Sequence, residues 1–71
     1  MAEARRYYYN YAEIDLETGM CIGVVNRTYE STQETLIAIP VYDEEYCFKY
    51  YINGNWYEDA AGTIPWQSSL I

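Results

Sequence analysis

No histidine occurs among the 71 residues of this chain. That absence removes Ser-His-Asp and Cys-His nucleophilic arrangements. It also removes mixed Cys/His zinc sites, and the two cysteines, Cys21 and Cys47, cannot by themselves close a four-coordinate site. Basic residues are scarce: four Lys and Arg stand against eleven Asp and Glu, for a formal net charge of −7. Nucleic-acid affinity comes chiefly from Lys and Arg neutralising phosphates, so direct nucleic-acid binding is not expected. No apolar run approaches the roughly 18 to 20 residues of a membrane span, so no membrane insertion is expected. No phosphate-cradling glycine loop of the Walker or Rossmann type is present. The start, "MAEARRYYYN", places Arg5 and Arg6 ahead of no apolar run and does not read as a signal peptide.

What is abundant is carboxylate and tyrosine. Asp43-Glu44-Glu45 and Glu58-Asp59 offer a cation site or an acid/base pair. Against this, the spacing lacks the EF-hand pattern, and a solvated cap and a cross-strand partner account for the same residues. No cofactor, metal site or catalytic residue is assigned, and an enzyme is not expected. Ten residues are tyrosine, and hydrophobic residues make up 51% of the chain. Tyrosine buries a large ring and keeps a wet hydroxyl, which suits half-exposed sheet faces and interfaces. A domain of this length buries only about 60% of the surface its unfolded chain exposes. Small folds of this kind gain from a disulfide, a metal or a partner subunit. Two thiols could form one bridge; a reducing cytoplasm favours small buried hydrophobes instead.

The pattern predicts an all-β, mainly antiparallel fold: a five-stranded, hairpin-based meander with at most one short helical turn near Asp43 to Tyr46. Residues 1–6 are expected as a flexible N-terminus, 7–59 as the β domain and 60–71 as a tail. Tyr7 to Asp15 reads as strand one. Glu17, Thr18 and Gly19 read as a turn, and Met20 to Asn26 as strand two. Met20, Ile22 and Val24 are expected on one face, Cys21 and Val25 on the other, with Gly23 marking a bulge or a close approach. Arg27 to Glu34 reads as a loop. Thr35 to Val41 reads as strand three, with Pro40 at its end or on an edge. Asp43 is placed to cap a turn carrying Glu44 and Glu45. Tyr46 to Ile52 reads as strand four and Asn55 to Asp59 as strand five.

Asn53-Gly54 is a strong hairpin signal of the type I′ kind. It sets Ile52 opposite Asn55, Tyr51 opposite Trp56, Tyr50 opposite Tyr57 and Lys49 opposite Glu58. Tyr50 and Tyr57, beside Phe48 and Ile52, are expected to face the core. Tyr51 and Trp56 are then left in need of a cover. With Trp66, Tyr9 and Tyr11 they form the candidate interface or ligand platform. Ile64, Trp66, Leu70 and Ile71 imply that the tail docks on the sheet or on a neighbouring subunit.

The segment "IPVYDEEYCFKYYINGNWYEDAAGTIPW", with "YAEIDLETGMCIGVV" upstream, resembles small proteins and terminal modules from the tail regions of phages and prophages of Gram-positive bacteria. The shared elements are a strand with an acidic turn, a Lys-Tyr-Tyr strand, an Asn-Gly hairpin and "NWYEDA". Those relatives often carry Gly before the Lys where this chain has Phe48, so a continuous strand is expected in place of a local turn. The resemblance implies a structural or adsorption role, a symmetric homo-oligomer or other tail proteins as partners, and no cofactor. The expected location is a virion tail or the host cytoplasm. Two alternatives follow from other features. The acidic surface would suit an inhibitor that mimics nucleic acid and binds a host defence protein. The aromatic platform would suit a module that binds cell-wall carbohydrate.

Overall fold

A computed structural model describes residues 9–71. The expected flexible N-terminus and the first two residues of strand one, Tyr7 and Tyr8, lie outside the described residues. Five strands and one 3-10 turn follow in chain order. They are β1 (Tyr9–Ile14), β2 (Cys21–Arg27), β3 (Leu36–Ile39), the turn Glu44–Tyr46, β4 (Tyr50–Ile52) and β5 (Asn55–Tyr57). The fold is all-β and antiparallel, as the sequence pattern predicts, but it is divided into two small sheets of order β2-β1-β3 and β4-β5.

The β1–β2 connection is built by Asp15. Its carbonyl accepts from Thr18 N and Gly19 N, and its side chain accepts from Glu17 N at 2.9 Å. Gly19 takes φ +78 at the end of this turn. A Cβ there would stand 2.9 Å from the Tyr51 carbonyl oxygen, because the second hairpin passes against it. That approach joins the two sheets. Tyr51 N donates to Gly19 O, Cys21 N donates to Lys49 O, and Met20 bridges Tyr50.

A bulge corrects the expected facing of strand two. Glu13 pairs with Gly23, whereas Ile14 pairs with Cys21, so Ile22 is the extra residue and is exposed. The bulge resets the alternation. Cys21 and Val24 therefore lie on one face with Ala12 and Ile14, instead of on opposite faces. A Cβ at Gly23 would meet nothing within 4 Å, so the glycine marks the bulge and no close approach.

The core is Ala12, Ile14, Cys21, Ile39 and Tyr46, with Val24, Ile37, Tyr51, Trp56 and Trp66 packed around it. The other face of β1 is covered by the loop between β2 and β3. Ser31 N donates to the Tyr11 hydroxyl at 2.8 Å, and Tyr11 and Leu36 are buried there. Strand three stops at Ile39, where Pro40 has no N–H to continue the ladder.

Strand four is shorter than expected. Cys47 N donates to Glu44 O and Lys49 N to Tyr46 O, so tight turns occupy residues 44–49. Phe48 N donates to Cys21 O while Cys21 N donates to Lys49 O. Two residues thus oppose one, with the first of them, Phe48, at φ +73. This is the bulge form whose first residue is ordinarily glycine. The turn is retained with a phenylalanine in it, and the expected continuous strand is absent.

Candidate functional site

The second hairpin takes the expected register: Tyr50 with Tyr57, Tyr51 with Trp56, Ile52 with Asn55. Asn53 and Gly54 both have positive φ, at 50° and 86°, which is the type I′ geometry. Of the expected core face, Tyr50, Ile52 and Tyr57 are half-buried, with Ile52 and Tyr57 against the tail turn at Gly62. Tyr51 and Trp56 turn inward onto the core cluster, whereas Phe48, expected beside the core, is 71% exposed. The short connection through Phe48 fixes this choice, because the bulge there decides which face of β4 meets β2.

Tyr46 organises the aromatics. Only 2% exposed, it lies between the two tryptophans. Its ring centroid is 5.0 Å from that of Trp56 and 4.8 Å from that of Trp66, with interplanar angles of 70° and 80°. Edge-to-face pairs of this kind each add about 0.5–1.5 kcal/mol beyond area burial. Tyr51 stacks at a tilt on Trp56 with centroids 5.1 Å apart. Burial, together with the nearby Asp43 carboxylate, pushes the Tyr46 hydroxyl pKa upward.

Lys49 was expected opposite Glu58. Regular pairing begins at Tyr50, and the Lys49 ammonium lies instead 5.0 Å from the centre of the Trp66 ring. Glu58 N donates to Ile64 O, and Trp66 N donates to Trp56 O. Pro65 bridges Tyr57, so residues 64–66 run along the outer side of β5. Of the five platform residues, the structure gathers Tyr51, Trp56 and Trp66 around Tyr46. Tyr9 and Tyr11 stand apart, in a groove of about 190 Å³ with Asn10, Glu30, Ala38, Ile39 and Pro40.

Two carboxylates hold the tail. Asp43 caps the 3-10 turn by accepting from Glu45 N at 2.9 Å, and its other oxygen accepts from the buried hydroxyl of Ser68. The Ser68 hydrogen bond, first, and that of Glu45 N hold the Asp43 carboxyl below the usual carboxylate range. Asp59 accepts from Thr63 Oγ1, from Thr63 N and from Ile64 N, closing the turn that contains Gly62. The Thr63 side chain is the main reason its pKa is lowered. The Asp43–Ser68 link was not foreseen: its partners are 25 residues apart and nothing local connects them. The Asp59 cap had a local signal, an Asp followed by a Gly-Thr pair three and four residues on.

Among the described residues, no group of three or more His, Cys, Asp or Glu side chains converges as a metal site. No helix among the described residues is long and apolar enough to cross a membrane. Large apolar side chains remain on the surface: Ile22, Phe48, Tyr29, Leu16, Leu70 and Ile71 are all more than half exposed. Ile22 follows the residue whose carbonyl Phe48 bonds, so the two exposed side chains emerge from one bulged junction at the outer side of β2. No protein-family model, curated protein or solved structure matches this chain.

Proposed function

We propose that this chain is a non-enzymatic, self-associating β module, used as a structural or interaction part of a phage or prophage tail. The observation that carries self-association is the junction at β2. Phe48 is the largest exposed apolar ring there, held at φ +73 where glycine is the natural choice. Retaining a phenylalanine costs about 1–2 kcal/mol of left-handed backbone energy. Strand β2 lies at an edge of its sheet: Phe48 and Lys49 bond its first residue, Cys21, on the outer side, and beyond that residue its only strand neighbour among the described residues is β1. An edge strand offers unpaired N–H and C=O groups. Two such edges pair antiparallel about a two-fold axis, which makes the surface complementary to itself. The occupant is a second copy of the chain, with Ile22 and Phe48 of each covering the junction of the other. The tail setting comes from the resemblance.

The net charge of −7 makes the copies repel, so association is expected to strengthen with salt. An inhibitor docking on a basic partner would weaken with salt instead. Light scattering after size exclusion, at low and high salt, tests this. A symmetric oligomer favoured by salt and abolished by Phe48→Asp supports the proposal. A well-ordered monomer at micromolar concentration in high salt refutes it.

A further inference from the structure

Cys21 and Cys47 are 26 positions apart in sequence, yet the bulge at Phe48 brings them together. Phe48 N bonds the Cys21 carbonyl and Cys21 N bonds the Lys49 carbonyl, which sets Cys47 at the next step along the junction. The backbone pairing makes the two cysteines neighbours across the junction, and Cys47 adds to the upward push on the Cys21 thiol. Both are free thiols, Cys21 fully buried and Cys47 half-buried. The pair is thus asymmetric, with Cys47 the more exposed residue and Cys21 the sheltered one. Cys21 also donates to Gly23 O at 3.2 Å, which holds its sulfur in place. Burial pushes the Cys21 thiol up to about 11, so it is a poor first nucleophile.

We propose that Cys21 and Cys47 form a dithiol site that a low-molecular-weight disulfide, of the oxidised glutathione class, converts to an intramolecular disulfide. The Cys47 thiolate attacks one sulfur of the small disulfide. A mixed disulfide forms at Cys47 and one small thiolate leaves. Cys21 gives its proton to solvent, and its sulfur attacks the Cys47 sulfur. The second small thiolate leaves and takes up a proton. The two protein thiols lose two electrons in total, and the small disulfide is reduced to two thiols. The bridge ties β2 to the end of the 3-10 turn, across the line where the two sheets meet. Oxidation therefore locks the junction that positions Phe48 and Ile22.

The test incubates the folded full chain with oxidised glutathione and follows it by intact mass and thiol titration. The expected product is monomeric in covalent mass, lighter by two hydrogens and without free thiols. Its thermal midpoint is expected to rise on the order of 10 °C, since the bridge closes a long loop. Cys21→Ser is expected to stop at a stable glutathione adduct on Cys47. Cys47→Ser is expected to resist modification while folded. A lasting adduct on Cys47 in the unsubstituted chain, with Cys21 still free, overturns the proposal. So does a disulfide between two copies as the sole product.

Discussion

Gly19→Ala isolates the contact that joins the two sheets. At φ +78, alanine pays a left-handed backbone cost of about 1–2 kcal/mol. About 0.4–1 kcal/mol returns through the lower entropy of the unfolded chain. The new methyl meets the Tyr51 carbonyl oxygen, 2.9 Å away, and backbone there cannot rotate aside. Relief requires the hairpin to move, which stretches the 2.9 Å bond from Tyr51 N to Gly19 O. Losing that bond removes a further 0.5–1.5 kcal/mol or so. The expected loss is about 1–3 kcal/mol, or on the order of 10 °C in a domain of this size. Gly54→Ala is the matched control, because Gly54 also has positive φ but has open space where a Cβ would go. Its expected loss is only about 1 kcal/mol, from the backbone alone. Both variants are to be compared by urea denaturation of the reduced protein. Equal losses at the two positions would refute the claim that close approach at Gly19 holds the sheets together.

Further outcomes are expected at other positions. Phe48→Gly should be more stable than Phe48→Ala by about 1 kcal/mol in urea melts, since both remove the ring but only glycine relieves the positive φ. Trp66→Ala should cost about 2 kcal/mol, reflecting its half-buried packing on Tyr46, with a thermal melt as the measurement. Ser68→Ala should lower stability more than Ser69→Ala, because only Ser68 is buried against the Asp43 carboxylate. Asp43 and Asp59 have folded pKa values below the ordinary value of about 3.9. Their contribution is therefore present above that value and lost as pH falls through the lower folded ones. Asp59→Asn should flatten the fall in urea midpoint below about pH 4, and an unchanged slope would show that the Thr63 clamp contributes nothing.

The fold class and the hairpin were legible in the residues because their signals are local. Asn53-Gly54 fixes a two-residue turn, and the turn fixes the register of Tyr51 against Trp56. Asp43 with Glu44 and Glu45 marks a capped turn in three consecutive residues. Asp15 to Gly19 likewise closes on itself. In each case the deciding hydrogen bonds run between residues a few positions apart.

Which face of the hairpin meets the core was not legible. Aromatics stand on both faces, so the alternation of strand four favours neither. The choice is made by the bulge at Phe48 against Cys21, a contact across 27 positions whose glycine signal is missing here. A second bulge, at Ile22, places Cys21 and Val24 together where simple alternation separates them. By itself the sequence determined an antiparallel all-β chain, its turns and its hairpin register. Only the tertiary structure decided that Tyr51, Trp56 and Trp66 close around Tyr46, that Phe48 faces outward, and that Cys21 lies across from the segment following Cys47. Turns depend on neighbouring residues, whereas facing and contact depend on how whole strands dock.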